Sequence, residues 1–184
     1  TCALPISTVN AVAGVATFSG LSINLVGTDK VLTATSSGLT SATTSPAFTI
    51  TAGAATKLAV TTQPSASTAA GSAFAQQPVV TIQDAAGNTV TSSTAAVTLA
   101  LTTGTGTLSG TATVNAVAGV ATFSGLSINL VGTDKVLTAT SSGLTSATTS
   151  PAFTITAGAA TKLAVTTQPS ASTAAGSAFA QQPV

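Results

Sequence analysis

Three residues of this chain have types and spacing that could do chemistry together: Asp84, Asn88 and Lys57. Asp84 and Asn88, four apart in Gln83-Asp84-Ala85-Ala86-Gly87-Asn88, offer oxygens that would suit calcium. That ion takes about six to eight oxygens, several from carboxylates, and the stretch from Ala54 to Gly158 adds only Asp134. Lys57 and Asn88 also suggest a Lys-Asn isopeptide crosslink. Such a bond needs a buried carboxylic acid beside the pair to shuttle protons, a role that would fall to Asp84 or Asp134. The plainer reading is structural. Asp84 opens a tight turn in which Gly87 takes positive φ, and Lys57 is a solvated lysine at a domain boundary. No metal, cofactor or catalytic residue is expected.

The rest of the inventory points the same way. The chain has no histidine, glutamate, tyrosine or tryptophan, and its one cysteine, Cys2, stands near the start. Acid-base pairs and nucleophile-base triads cannot be assembled from what remains, so an enzyme is not expected. Gly104-Thr105-Gly106 lacks the lysine and helix start of a phosphate loop and reads as a turn. Lys30, Lys57, Lys135 and Lys162 are scattered and there is no arginine, which argues against nucleic acid as a partner. No asparagine lies in a glycosylation sequon, and no stretch approaches the length of a membrane-spanning helix.

The elements that must position these residues recur. Residues 113–184 repeat residues 8–79 without a substitution, an offset of 105 residues. A period of that size matches one small domain rather than a solenoid rung. The expected organisation is the C-terminal part of one copy at 8–53, a whole copy at 54–158, and the N-terminal part of another at 159–184. Val184 corresponds to Val79, which Val80-Thr81-Ile82 follows, so the sequence is expected to be a window onto a longer array. Thr1–Ser7 do not match Gly106–Ala112, their counterpart in the repeat. Their codon series resembles a sequencing-library adapter, and they are set apart as foreign; the alternative is a divergent loop of a preceding copy.

Threonine is the commonest residue, and it alternates with Val, Ile and Phe in short runs bounded by Gly, Pro, Asn and Asp. Leu, Ile, Val and Phe make 43 of the 184 residues, enough for a thin core without disulfides. Strands are expected at 57–62, 78–83, 89–90 and 96–101. A hairpin is expected at 113–124, turning at Ala118-Gly119 with Phe123 inward. Strands at 136–141 and 152–156 would form the last pair, burying Leu137, Ala139, Phe153 and Ile155. About eight such strands and no capped helical period mark an all-β sandwich. The hydroxyls of its Ser and Thr residues would cover the outer faces.

The succession Gln83-Asp84-Ala85-Ala86-Gly87-Asn88, Val97-Thr98-Leu99, Gly119-Val120-Ala121-Thr122-Phe123 and Leu137-Thr138-Ala139-Thr140 resembles the bacterial Ig-like tandem repeats of the invasin and intimin type. The resemblance covers the whole period. It departs at Ala118-Gly119, where many relatives carry Asn-Gly, and near Lys135, where an aromatic would form a tyrosine corner. It implies tandem immunoglobulin-like β-sandwich domains in a large bacterial surface or secreted protein, with neighbouring identical repeats as partners and no membrane insertion in this segment. The expected function is an adhesin's structural spacer or stalk, its ligand unknown. The alternatives are an accessory module of a secreted enzyme and a direct polysaccharide-binding module, including a flat threonine array.

Overall fold

Residues 7–184 are described by a computed structural model. The adapter reading of Thr1–Ser7, with Cys2, falls outside the described residues save for Ser7. The described chain is all β, with no helix among the described residues and so none that is long and apolar enough to cross a membrane.

Four short strands come first: β1 (Gly27–Lys30), β2 (Thr33–Ala34), β3 (Ala42–Thr43) and β4 (Phe48–Ile50). They form two separate two-stranded ladders, β1 with β4 and β2 with β3. Eleven strands follow: β5 (Lys57–Thr62), β6 (Ser67–Ala69), β7 (Val79–Gln83), β8 (Ala96–Thr103), β9 (Leu108–Thr111), β10 (Thr113–Asn115), β11 (Val120–Thr122), β12 (Ser124–Ile128), β13 (Gly132–Thr140), β14 (Ala147–Thr148) and β15 (Phe153–Thr156).

One sheet has the order β11-β7-β5. A second runs β10-β8-β13-β15-β6 with β14 also paired to β13, and β9 pairs with β12 beside them. Among the described strands β15 and β6 alone pair in parallel, and Lys57 and Thr145 add an isolated parallel bridge. The core follows from the period of two along each strand. Leu58, Val80, Ile82, Val97, Leu99, Leu126, Ile128, Leu137, Ala139 and Ile155 are all buried in one cluster, and Phe74 meets Phe153 edge to face at 5.4 Å. Burying each large aliphatic chain is worth about 1.5–3 kcal/mol. Two sheets sharing one core are consistent with a β-sandwich. On the outer face Thr98 meets Thr113 at 2.9 Å and Thr102 meets Thr138 at 2.7 Å, hydroxyl to hydroxyl.

Several expectations change. Thr89 makes only an isolated bridge to Gln83, so 89–90 is no strand, although Val90 is buried. The stretch 113–124 turns at Ala118-Gly119 as expected, and Val117 and Val120 exchange two hydrogen bonds of 2.8 and 3.0 Å. Its arms then part: β10 joins β8 while β11 joins β7, so the turn carries the chain between sheets and closes no hairpin ladder. Strands β6, β9, β12 and β14 lie outside the expected runs. Lys135, read as one of four scattered charges, is buried, and its Nζ donates to the carbonyls of Thr105 and Val131. Glycine at 104 and 132 leaves room for that side chain, since a Cβ would stand 2.7 Å from its Cδ or 2.9 Å from its Nζ.

The partial copies keep local geometry without the core. Gly27 pairs with Ile50 and Lys30 with Phe48 across an irregular register, as Gly132 pairs with Ile155 and Lys135 with Phe153. Ala13 and Asp29 have positive φ, and so do Ala118 and Asp134. At the other end, Val184 bonds to Thr166 and Thr167. Those contacts match the place of Val79 opposite Thr62. Exposure separates the copies: Phe18 is 41% exposed and its counterpart Phe123 1%, Leu21 52% and Leu126 0%.

Candidate functional site

Polar side chains converge where residues 8–53 hand over to residues 54–158. The turn Asp84–Asn88 is closed by its own backbone: the Gly87 N–H donates to the Asp84 carbonyl at 3.1 Å, and the Asp84 N–H to the Asn88 carbonyl at 2.9 Å. Gly87 sits at φ 93°, in the region that favours glycine. The Asp84 carboxylate then accepts three further bonds. Its Oδ1 takes the Asn88 N–H at 2.9 Å, and its Oδ2 takes the Asn88 amide at 2.9 Å and the Gly53 N–H at 3.0 Å.

Asn88 reaches across to the preceding copy. Its Nδ2 donates to the Asn24 carbonyl at 2.7 Å and its Oδ1 accepts the Val26 N–H at 3.2 Å. Both Nδ2 partners are acceptors and the Oδ1 partner is a donor, so only one orientation of the amide satisfies all three. Asp84 and Asn88 are 6% and 8% exposed, and a buried carboxylate is tolerated here because every bond to it favours the charged form. The Asn88 side chain, then the Gly53 N–H, with smaller help from the Asn88 and Ala86 N–H groups, lower the Asp84 pKa from 3.8 to about 2 against the cost of burial.

Lys57 stands beside this turn, its Nζ on the Ala85 carbonyl at 3.2 Å. Thus Lys57, Asp84 and Asn88 do gather at one place. The isopeptide chemistry nevertheless lacks its acid: proton shuttling needs a carboxyl held neutral, and Asp84 is pushed the opposite way. Asp134 is exposed in the bulge before Lys135 and takes its own neighbour's hydroxyl, Thr133, at 3.1 Å. Calcium fits no better, because the Asp84 oxygens are taken up by N–H donors. No group of three or more acidic, histidine or cysteine side chains gathers among the described residues.

A shallow cleft of about 470 Å³ opens beside the turn, with Ile23, Ile50, Gly53 and Thr56 among its walls. Ile23 and Ile50 are the counterparts of Ile128 and Ile155, which are 0% and 1% exposed. The apolar wall is thus built from residues whose counterparts lie in the core of residues 54–158. The turn itself was legible in the sequence; the reach of Asn88 to another copy was not, because its partners are main-chain groups that carry no side-chain signature. No protein-family model matches the chain, and no curated protein matches it.

Proposed function

We propose that this chain is a run of immunoglobulin-like β-sandwich repeats that acts as a spacer, the stalk of an adhesin-like protein at the bacterial surface or outside the cell. The observation that carries the reading is the joint. Successive copies meet through a turn whose side chains bond directly to the main chain of the copy before, and the link from Ile50 to Lys57 is tied down at Gly53 and at Thr56, whose N–H donates to the Gln83 carbonyl at 2.8 Å. A link so held resists bending, and a row of such units extends rather than collapses. Whole copies, with boundaries near 54 and 158, are the units of the row.

Sugar binding by the repeats draws no support from the aromatic residues. All six phenylalanines are core positions: Phe74, Phe123 and Phe153 are buried, and Phe179, Phe18 and Phe48 are their counterparts. Small-angle scattering on chains of increasing copy number tests the spacer reading. The maximum dimension should grow by a constant increment per period. Growth as the square root of copy number, the law of a flexible string, would overturn it.

A further inference from the structure

We propose that the outgoing end of residues 54–158, formed by Asn129–Val131 and Gly158, is a docking site for the Asp84–Asn88 turn of a following copy of the same repeat. Asn129, Val131 and Gly158 stand where Asn24, Val26 and Gly53 stand one period earlier, in identical sequence. The earlier set already holds such a turn: the Asn24 carbonyl and the Val26 N–H on the Asn88 amide, the Gly53 N–H on the Asp84 carboxylate.

Two observations show that the later set offers the same surface. Its backbone repeats the earlier one in strand register and in the positive φ of Asp29 and Asp134. The Asn129 carbonyl and the Val131 and Gly158 N–H groups have no hydrogen-bond partner among the described residues, while the Asn129 side-chain oxygen accepts the Thr107 N–H of its own copy at 2.7 Å. Leu130 and Val131 beside them are 50% and 54% exposed. Two donors and one acceptor, all main chain, fit an asparagine amide and a carboxylate in the spacing that the Asp84–Asn88 turn provides. The partner is accordingly another copy and not a ligand of other chemistry. This inference holds whatever the row of copies carries.

The test is amide hydrogen exchange on the present chain and on one continued through a second copy of residues 80–158. In the present chain the Val131 and Gly158 amides should exchange close to unprotected rates. In the lengthened chain both should slow by about tenfold or more, the order expected for one net hydrogen bond. Asn88→Ala in the added copy should restore fast exchange at Val131, and Asp84→Asn there should restore it at Gly158, while the core amides of both copies stay protected. Fast exchange of Val131 and Gly158 in the lengthened chain would overturn the proposal, as would protection that ignores both substitutions. The two variants act on different amides, so if one fails to fold the other still decides.

Discussion

The Asp84 carboxylate accepts three hydrogen bonds, from the Gly53 and Asn88 N–H groups and the Asn88 amide, and its titration should be visible in stability. A carboxylate whose pKa is depressed on folding stabilises the native state above its ordinary pKa, and that contribution disappears as pH falls through the folded value. For Asp84 the window runs from 3.8 down to about 2. Lys57 donates to the Ala85 carbonyl of the same turn. The melting temperature should therefore drop between about pH 4 and pH 2, and Asp84→Asn should flatten that drop while lowering stability at pH 7. An unchanged acid slope in the variant would remove Asp84 from the account. A second residue works against the fold. Ala118 is exposed at φ 49° in a two-residue turn that asks for positive φ at both positions. Left-handed backbone costs an ordinary L-residue about 1–2 kcal/mol, and asparagine tolerates it better. Ala118→Asn should raise stability by about 1 kcal/mol in chemical denaturation, and no gain would mean that the turn relaxes in solution. Gly119→Ala should do the reverse, because its Cβ would lie 2.5 Å from the Val90 carbonyl.

At the level of strands, the chain contains its own control. Phe18 and Phe123 occupy the same place in identical sequence, yet one is 41% and the other 1% exposed. Phe123→Ala should cost about 3–5 kcal/mol of the stability of the core, whereas Phe18→Ala should stay within about 0.5 kcal/mol. Equal losses would mean that residues 8–53 find a core of their own. The same contrast explains what was readable beforehand. Strands with a long alternation, such as Lys57–Thr62 and Ala96–Thr103, stand out because Leu58, Val97 and Leu99 recur at every second residue. Phe123, Leu137, Ala139, Phe153 and Ile155 face the core as their alternation implies. β12 hid its signal: Leu126 and Ile128 alternate correctly, but Gly125 and two serines dilute the run. β6 and β14 are too short and too rich in Ala, Ser and Thr to be distinguished from loop. The partners of β10 and β11 depend on which sheet each arm enters, and that is decided by packing across the core. Burial of Lys135 escaped for a similar reason, since its carbonyl partners lie in the Gly104-Thr105-Gly106 turn and at Val131.

For the molecule as a whole, the question is which residues fold as one unit. No residue described before Leu58 is buried, and none after Ile155. Fixing a backbone costs about 1–2 kcal/mol per residue, and the three bonds of the joint return about 1 kcal/mol each. Those bonds can orient two copies that are already folded; they cannot hold residues 8–53 in shape alone. What folds a copy is the meeting of its first half, with Val80, Ile82, Val97 and Leu99, and its second, with Leu126, Leu137 and Ile155, in one cluster. A protease of broad specificity should therefore trim this chain from both ends and pause at a fragment close to residues 54–158. That fragment should melt in one cooperative transition and keep its β circular dichroism. Stable products that retain residues 8–53 would show that the joint does more than orient. Early cuts inside 57–156, between β5 and β15, would break the link between shared core and cooperative unit on which the spacer reading depends.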